Sequence, residues 1–262
     1  MDVFVGIDVA YAKKKRLPLC VCKWQNGQLT PLRIPDFLKT NVPRGSGNKA
    51  ALGPDAVERF ANEVADFLEA WEKCDEFRIK RIALDAPSSP RPDKMNIRRA
   101  EAALGDLNIS YFKTPSSKEF GEIKMKVLAH FARAGKESNI PSANKLWMLA
   151  GFALFQRLMQ SWECIEGYPQ ATMHSLGVAA VHKSKPEGLR SQLQALLKRT
   201  RWLPSSYDKA LSELKAIVRA PAHDAVDAYA CAWLAALEEP SRIPLGSVAE
   251  GDAIWIPAPE LR

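Results

Sequence analysis

Two short apolar runs, each closing on an aspartate, constrain this chain more than any other feature. Residues 3–10 read VFVGIDVA, and residues 79–86 include IALDA. Both have the β-branched and aliphatic character of buried strands. Two more strand patterns, at 17–25 and 28–35, lie between them. The Asn26-Gly27 pair that joins these two is a strong hairpin signal. A helix is predicted from Pro54 to Lys73, with Val57, Phe60, Ala61, Val64, Phe67, Leu68 and Trp71 on one face.

A meander of three strands, then a helix, then a strand, builds a mixed sheet. The right-handed crossover rule sets the fourth strand, and a fifth at 163–168, on the far side of the first. The fold class expected is α/β, a mixed five-stranded sheet with helices on both faces. Residues 36–54, rich in Pro, Gly, Ser and Asn, read as a mobile loop. Helical patterns at 95–107, 120–136 and 143–162 make a helical block inserted near 95–162. Further helices are predicted at 187–198, 206–218 and 221–237, the last rich in Ala and so able to lie close on a sheet. The tail AIWIP reads either as a short edge strand or as an extended arm. Residues 1–262 read as one domain, without internal repeats.

The acidic residues carry the chemical signal. Alternation in the first strand sends Val3, Val5 and Ile7 to one face and Phe4, Gly6 and Asp8 to the other. Asp85 ends the fourth strand as Asp8 ends the first. Side by side at a topological switch point, they form a like-charged pair that resists ionising without a cation. Glu166 stands between Ile165 and Gly167 in a short apolar strand, where Glu is disfavoured. In the last helix Asp224 and Asp227 are three residues apart and share a face. Asp224 also suits a helix first turn. Asp227 falls in register with Ala230, Cys231 and Leu234, the stripe that should face the sheet.

Four elements thus deliver Asp8, Asp85, Glu166, Asp224 and Asp227 to one end of one sheet. All-oxygen donors suit Mg²⁺ or Mn²⁺. Two such ions can clamp the attacking and leaving oxygens of a phosphodiester. The net charge of +7 and basic clusters such as Lys13–Arg16, Lys183/Lys185 and Lys198/Arg199/Arg201 suggest a polyanionic partner, such as DNA or RNA, with a plain solvated surface as the alternative. Lys185, Arg190, Arg98 and Arg99 are candidates for phosphate contact. The most apolar stretch holds eleven uncharged residues between Lys145 and Arg157, whereas a membrane span needs about 20. The N-terminal apolar residues precede the basic run, the wrong order for a secretory signal. Five scattered cysteines without metal spacing read as reduced thiols, which points to the cytoplasm.

GIDVA, ALDAP, EGYP and HDAVDAYACAWLA, in this order, resemble the predicted RNase H-like nucleases grouped as domain-of-unknown-function family 429. The similarity runs from the first strand through AIWIP. It implies an RNase H-like fold and a nuclease activity. It is also similar to RuvC-type resolvases, which implies metal binding by Asp8, Asp85, Asp224 and Asp227. Asp85 stands where resolvases have Glu, and Glu166 has no resolvase counterpart. Glu166 is either a ligand or a group that orients Tyr168 and a basic partner. RNase H proper adds a helix-one Glu, for which Glu58 and Glu63 are candidates. The function expected is a metal-dependent nuclease. The alternative is a catalytically inactive nucleic-acid-binding or scaffold protein on the same fold. An actin-like ATPase would need a duplicated core and a second Gly-rich phosphate loop, and the chain has neither.

Overall fold

A computed structural model describes residues 1–35 and 41–259. The strand β1 (Asp2–Asp8) lies inside the sheet. It pairs antiparallel with β2 (Leu19–Gln25), which pairs in turn with β3 (Gln28–Pro31). Asn26 (φ +52°) and Gly27 (φ +73°) both take positive φ in the turn between them, as the expected hairpin requires. The third strand ends at Pro31 rather than at 35, with Leu32 N–H still donating to the Val21 carbonyl at 2.8 Å.

Helix α1 (Pro54–Cys74) leads into β4 (Arg78–Asp85), which lies parallel to β1 on the side away from the hairpin. The helices α2 (Arg99–Asp106), α3 (Ser117–Ala132) and α4 (Ala143–Leu158) follow, then β5 (Glu163–Gly167), parallel to β4. The helix α3 starts three residues earlier than the apolar pattern suggests. A capping box explains it: the Ser116 hydroxyl accepts from the Glu119 amide, and the Glu119 carboxylate accepts from the Ser116 amide. Four more helices come next: α5 (Pro169–Ser175), α6 (Pro186–Thr200), α7 (Tyr207–Val218) and α8 (Ala222–Ala236).

The five-stranded expectation is corrected at the C-terminal end. Strands β6 (Arg242–Ser247) and β7 (Asp252–Pro257) extend the sheet to seven, in the order β3-β2-β1-β4-β5-β7-β6. The tail AIWIP is an interior strand parallel to β5, not an arm, and β6 is the edge. β6 escapes a sequence reading because Pro244 and Gly246 break its pattern. An edge strand tolerates a residue without an N–H.

The core divides by face as the alternation in β1 requires. Val3, Val5 and Ile7 pack with α1 and α4 on one side. Phe4 packs on the other with α6, α7 and α8. The helix α8 is buried on every side from Asp224 to Ala236 and crosses β1 and β4. Its alanines permit that approach, and so does Gly6. A Cβ there would stand 2.0 Å from the Ala228 carbonyl oxygen and 2.2 Å from the Ala232 amide nitrogen. Both obstacles are backbone, so the close contact needs glycine. Within the expected loop at 36–54, residues 36–40 lie outside the described residues. The part from 43 to 47 is tied to 11–17 by backbone bonds, among them Leu17 N–H to the Pro43 carbonyl and Gly45 N–H to the Lys15 carbonyl.

Candidate functional site

Asp8 and Asp85 are direct register partners at the carboxyl ends of β1 and β4. The parallel pairing therefore sets two half-buried carboxylates side by side. The α8 axis crosses the same two strands and brings Asp227 and Asp224 in from above. Asp227 is 2% exposed and forms an ion pair with the Lys183 ammonium. Asp224 lies 2.8 Å from the Lys15 ammonium and 3.2 Å from His223 Nε2. These four of the five expected acids form one cluster, since each of Asp227, Asp85 and Asp224 acts electrostatically on Asp8.

Burial and like charge together oppose ionisation here. Burial first, then Asp227, Asp85 and Asp224, hold the Asp8 carboxyl well above the usual range. Asp85 is pushed up to about 7 by burial and by Asp227, against relief from Lys183. Burial also raises Asp227, again with Lys183 opposing. Burial works against the charge on Lys183, but Asp227, Asp85 and Asp8 outweigh it and keep the ammonium protonated beyond the ordinary lysine range. Lys183 is thus the internal counter-ion of the cluster. Among the described residues, no three His, Cys, Asp or Glu side chains are grouped closely enough to form a ready-made metal cage.

Glu166 sits one strand further on, opposite Leu84 of β4 and Ile254 of β7. Its two oxygens accept from Arg98 Nη1 at 2.9 Å and Nη2 at 2.7 Å, and one also accepts from the Ser88 amide at 3.3 Å. Arg98 Nε donates to Asp252 at 2.9 Å. All three side chains are buried, in a charge-assisted fork of the strongest kind. Burial raises the Glu166 carboxyl, and Arg98 counters it. Glu166 therefore orients a basic partner, Arg98. Tyr168 instead donates to the Ser110 carbonyl at 2.6 Å.

The proposed phosphate-contact residues are distributed differently. Lys185 is exposed at the start of α6. Arg190 is exposed, lies over the Tyr207 ring and stands 3.9 Å from Asp208. Arg99 pairs at the surface with Glu250. Glu58 and Glu63 are exposed on α1, on the sheet face opposite α8. Sequence reasoning passed over Lys183 and Lys15 as partners of the acids, although both belong to basic clusters it noted. It also passed over Asp252, which ties Arg98 and the Arg99 amide to β7.

Among the described residues, no helix is long and apolar enough to cross a membrane. No curated protein and no solved structure matches the chain. A family model described as "Protein of unknown function (DUF429)" matches residues 6–246, and the chain belongs to that family.

Proposed function

We propose that the protein is a metal-dependent nuclease, hydrolysing phosphodiester bonds of nucleic acid on an RNase H-like core. The observation that carries this reading is the convergence of Asp8, Asp85, Asp224 and Asp227 on one end of the sheet, where burial first and then neighbouring carboxylates raise the pKa of Asp8, Asp85 and Asp227. Carboxylates buried together without a function cost stability, and strained electrostatics of this kind concentrate at active sites. The sheet order β3-β2-β1-β4-β5 supports the RNase H-like core, with β7 and β6 as an addition.

The donor set fits a hard divalent cation: it is oxygen only, and burial first, then neighbouring carboxylates, raise Asp8, Asp85 and Asp227, a strain that a bound cation would relieve. Asp8, Asp85, Asp224 and Asp227 would hold Mg²⁺ or Mn²⁺, in the two-ion arrangement. Such ions supply positive charge to the attacking and leaving oxygens of a phosphodiester. The protein's own part is to hold the four carboxylates together at one end of the sheet. Lys183 neutralises Asp227 while the site is free, and Lys15 does the same for Asp224. Glu166, locked to Arg98, braces the β5 side of the cluster. The positive net charge favours approach of a polyanion.

Lys183 also favours a second reading. An ammonium already seated on Asp227 substitutes for a metal charge, as in a protein that binds nucleic acid without cleaving it. Incubation of the purified protein with labelled single-stranded and duplex DNA, RNA and hybrid, in Mg²⁺, Mn²⁺ or EDTA, beside Asp8→Asn, separates the two. Cleavage that needs metal and disappears in the variant is the expected result. Salt-dependent binding with no product and no metal-dependent thermal shift would refute the nuclease reading in favour of the second.

A further inference from the structure

Next to Asp85 a narrow cleft of about 50 Å³ opens to solvent between β4, β5, α2 and the α4 start. Aromatic rings form part of its wall, among them Phe112, Trp147 and Tyr168. Phe112 is 57% exposed. Asp85 of the acidic cluster and the Arg98–Glu166 pair also line it. Glu101, on the first turn of α2, also lines the pocket and is 2% exposed. Its Oε1 accepts from the Thr114 amide at 2.7 Å. Its Oε2 is buried and has no hydrogen-bond partner among the described residues. A buried carboxylate oxygen without a donor costs free energy unless a ligand supplies one.

We propose that this pocket is a nucleobase subsite, in which an unpaired, amino-bearing base of a nucleic-acid strand stacks on the aromatic wall and donates an N–H to Glu101 Oε2. The features fit that ligand and fit few others. A slot with aromatic walls accepts a flat π-system, and base-on-aromatic stacking is the usual way to hold unpaired bases. An acceptor-only group at its side selects a base edge with a donor, as the amino groups of adenine, cytosine and guanine provide. Asp85 is shared between the pocket and the acidic cluster. A base lodged here holds its own backbone beside the carboxylates. A base inside a duplex cannot reach the slot without leaving its stack, so the pocket favours single-stranded or locally opened substrates.

The inference rests on the nuclease reading only for its biological purpose, and it is testable without cleavage. Binding is measured by fluorescence anisotropy in EDTA, with short labelled strands of adenine, cytosine or abasic residues, as DNA and as RNA. Wild type should prefer the amino-bearing strands over the abasic ones. Phe112→Ala should weaken binding to both base-bearing strands by about tenfold, the lower part of the range for one lost stacking contact, and leave the abasic strand unaffected. Glu101→Gln keeps an acceptor for Thr114 and presents an amide donor to the base, so it should reduce the preference for the amino-bearing strands over the abasic one. Phe112 is exposed, so its variant retains the fold even if the Glu101 variant does not. Wild-type strength in Phe112→Ala on every strand, or no difference between base-bearing and abasic strands, would overturn the proposal. Free AMP displacing the adenine strand as well as an equal concentration of that strand does would overturn the assignment to a strand. Metal-dependent cleavage with these binding results absent would refute the pocket alone. Base-selective binding without cleavage would refute the nuclease reading alone.

Discussion

Replacing Asp85 by Asn should stabilise the protein, because the wild-type carboxylate is held against its own ionisation. In the fold its pKa is pushed from an ordinary 3.8 to about 7, first by burial and then by Asp227. In the unfolded chain it ionises near its ordinary value. A carboxyl with a raised folded pKa favours the fold fully at low pH and loses that contribution as pH rises. The loss begins above about pH 4, where only the unfolded state ionises, and is complete just above the folded pKa near 7. At about 1.4 kcal/mol per pH unit, the interval corresponds to a ceiling of about 4 kcal/mol. Partial solvent access and relaxation of Lys183 reduce this, and about 2 kcal/mol is the gain expected for Asp85→Asn. Asparagine keeps the shape, and Asp85 accepts no hydrogen bond from another described residue whose loss would offset the gain. Urea denaturation in EDTA, at about pH 5 and about pH 8, reads the effect as a shift in midpoint at constant slope. The gain should be larger at the higher pH and shrink toward the lower one. A variant less stable than wild type at the higher pH, or a gain independent of pH, would show that the cluster is not under the electrostatic strain argued here. Adding Mn²⁺ should raise the wild-type melting temperature more than that of the variant, if the cluster is a metal site.

Removing the internal counter-ion should act in the opposite direction. Lys183→Met leaves Asp227 buried without its partner and should destabilise by about 2 kcal/mol near neutral pH, since the lysine is partly exposed. The loss should fade as pH falls through the Asp227 pKa, which burial raises above the ordinary aspartate value, and a second change, Asp227→Asn, should restore most of it. Failure of that rescue in denaturation curves would remove Lys183 from the electrostatic account. At Gly6 a methyl group collides with the α8 backbone at 2.0 and 2.2 Å. Gly6→Ala should therefore cost about 3 kcal/mol or prevent folding, as read by melting and soluble yield. Wild-type stability in that variant would mean that α8 does not lie on β1 as described.

Much of the frame was legible in local pattern. Alternation in β1 separates the two core faces, Asn26-Gly27 forms its hairpin, and the Ala-rich last helix lies on the sheet with Asp227 buried beneath it. The pairing of Asp8 with Asp85 followed from two strands that end alike and a crossover of fixed hand. These signals are periods of two and 3.6 residues and local turn chemistry, which a chain expresses within a few residues of itself. β6 left no such mark, since Pro244 and Gly246 interrupt it and only its pairing with β7 makes it a strand.

The sequence by itself determined which acids stand at strand ends and on the buried face of the last helix. Only the tertiary structure decided what balances them. Lys183 reaches Asp227 across 44 residues of chain, Arg98 reaches Glu166 across 68, and the same Arg98 reaches Asp252 across 154. The basic clusters alone do not say which cation meets which acid, because a surface lysine and a buried counter-ion are the same residue type. Charge compensation depends on distance and burial after folding, and neither is written in the spacing of residues along the chain.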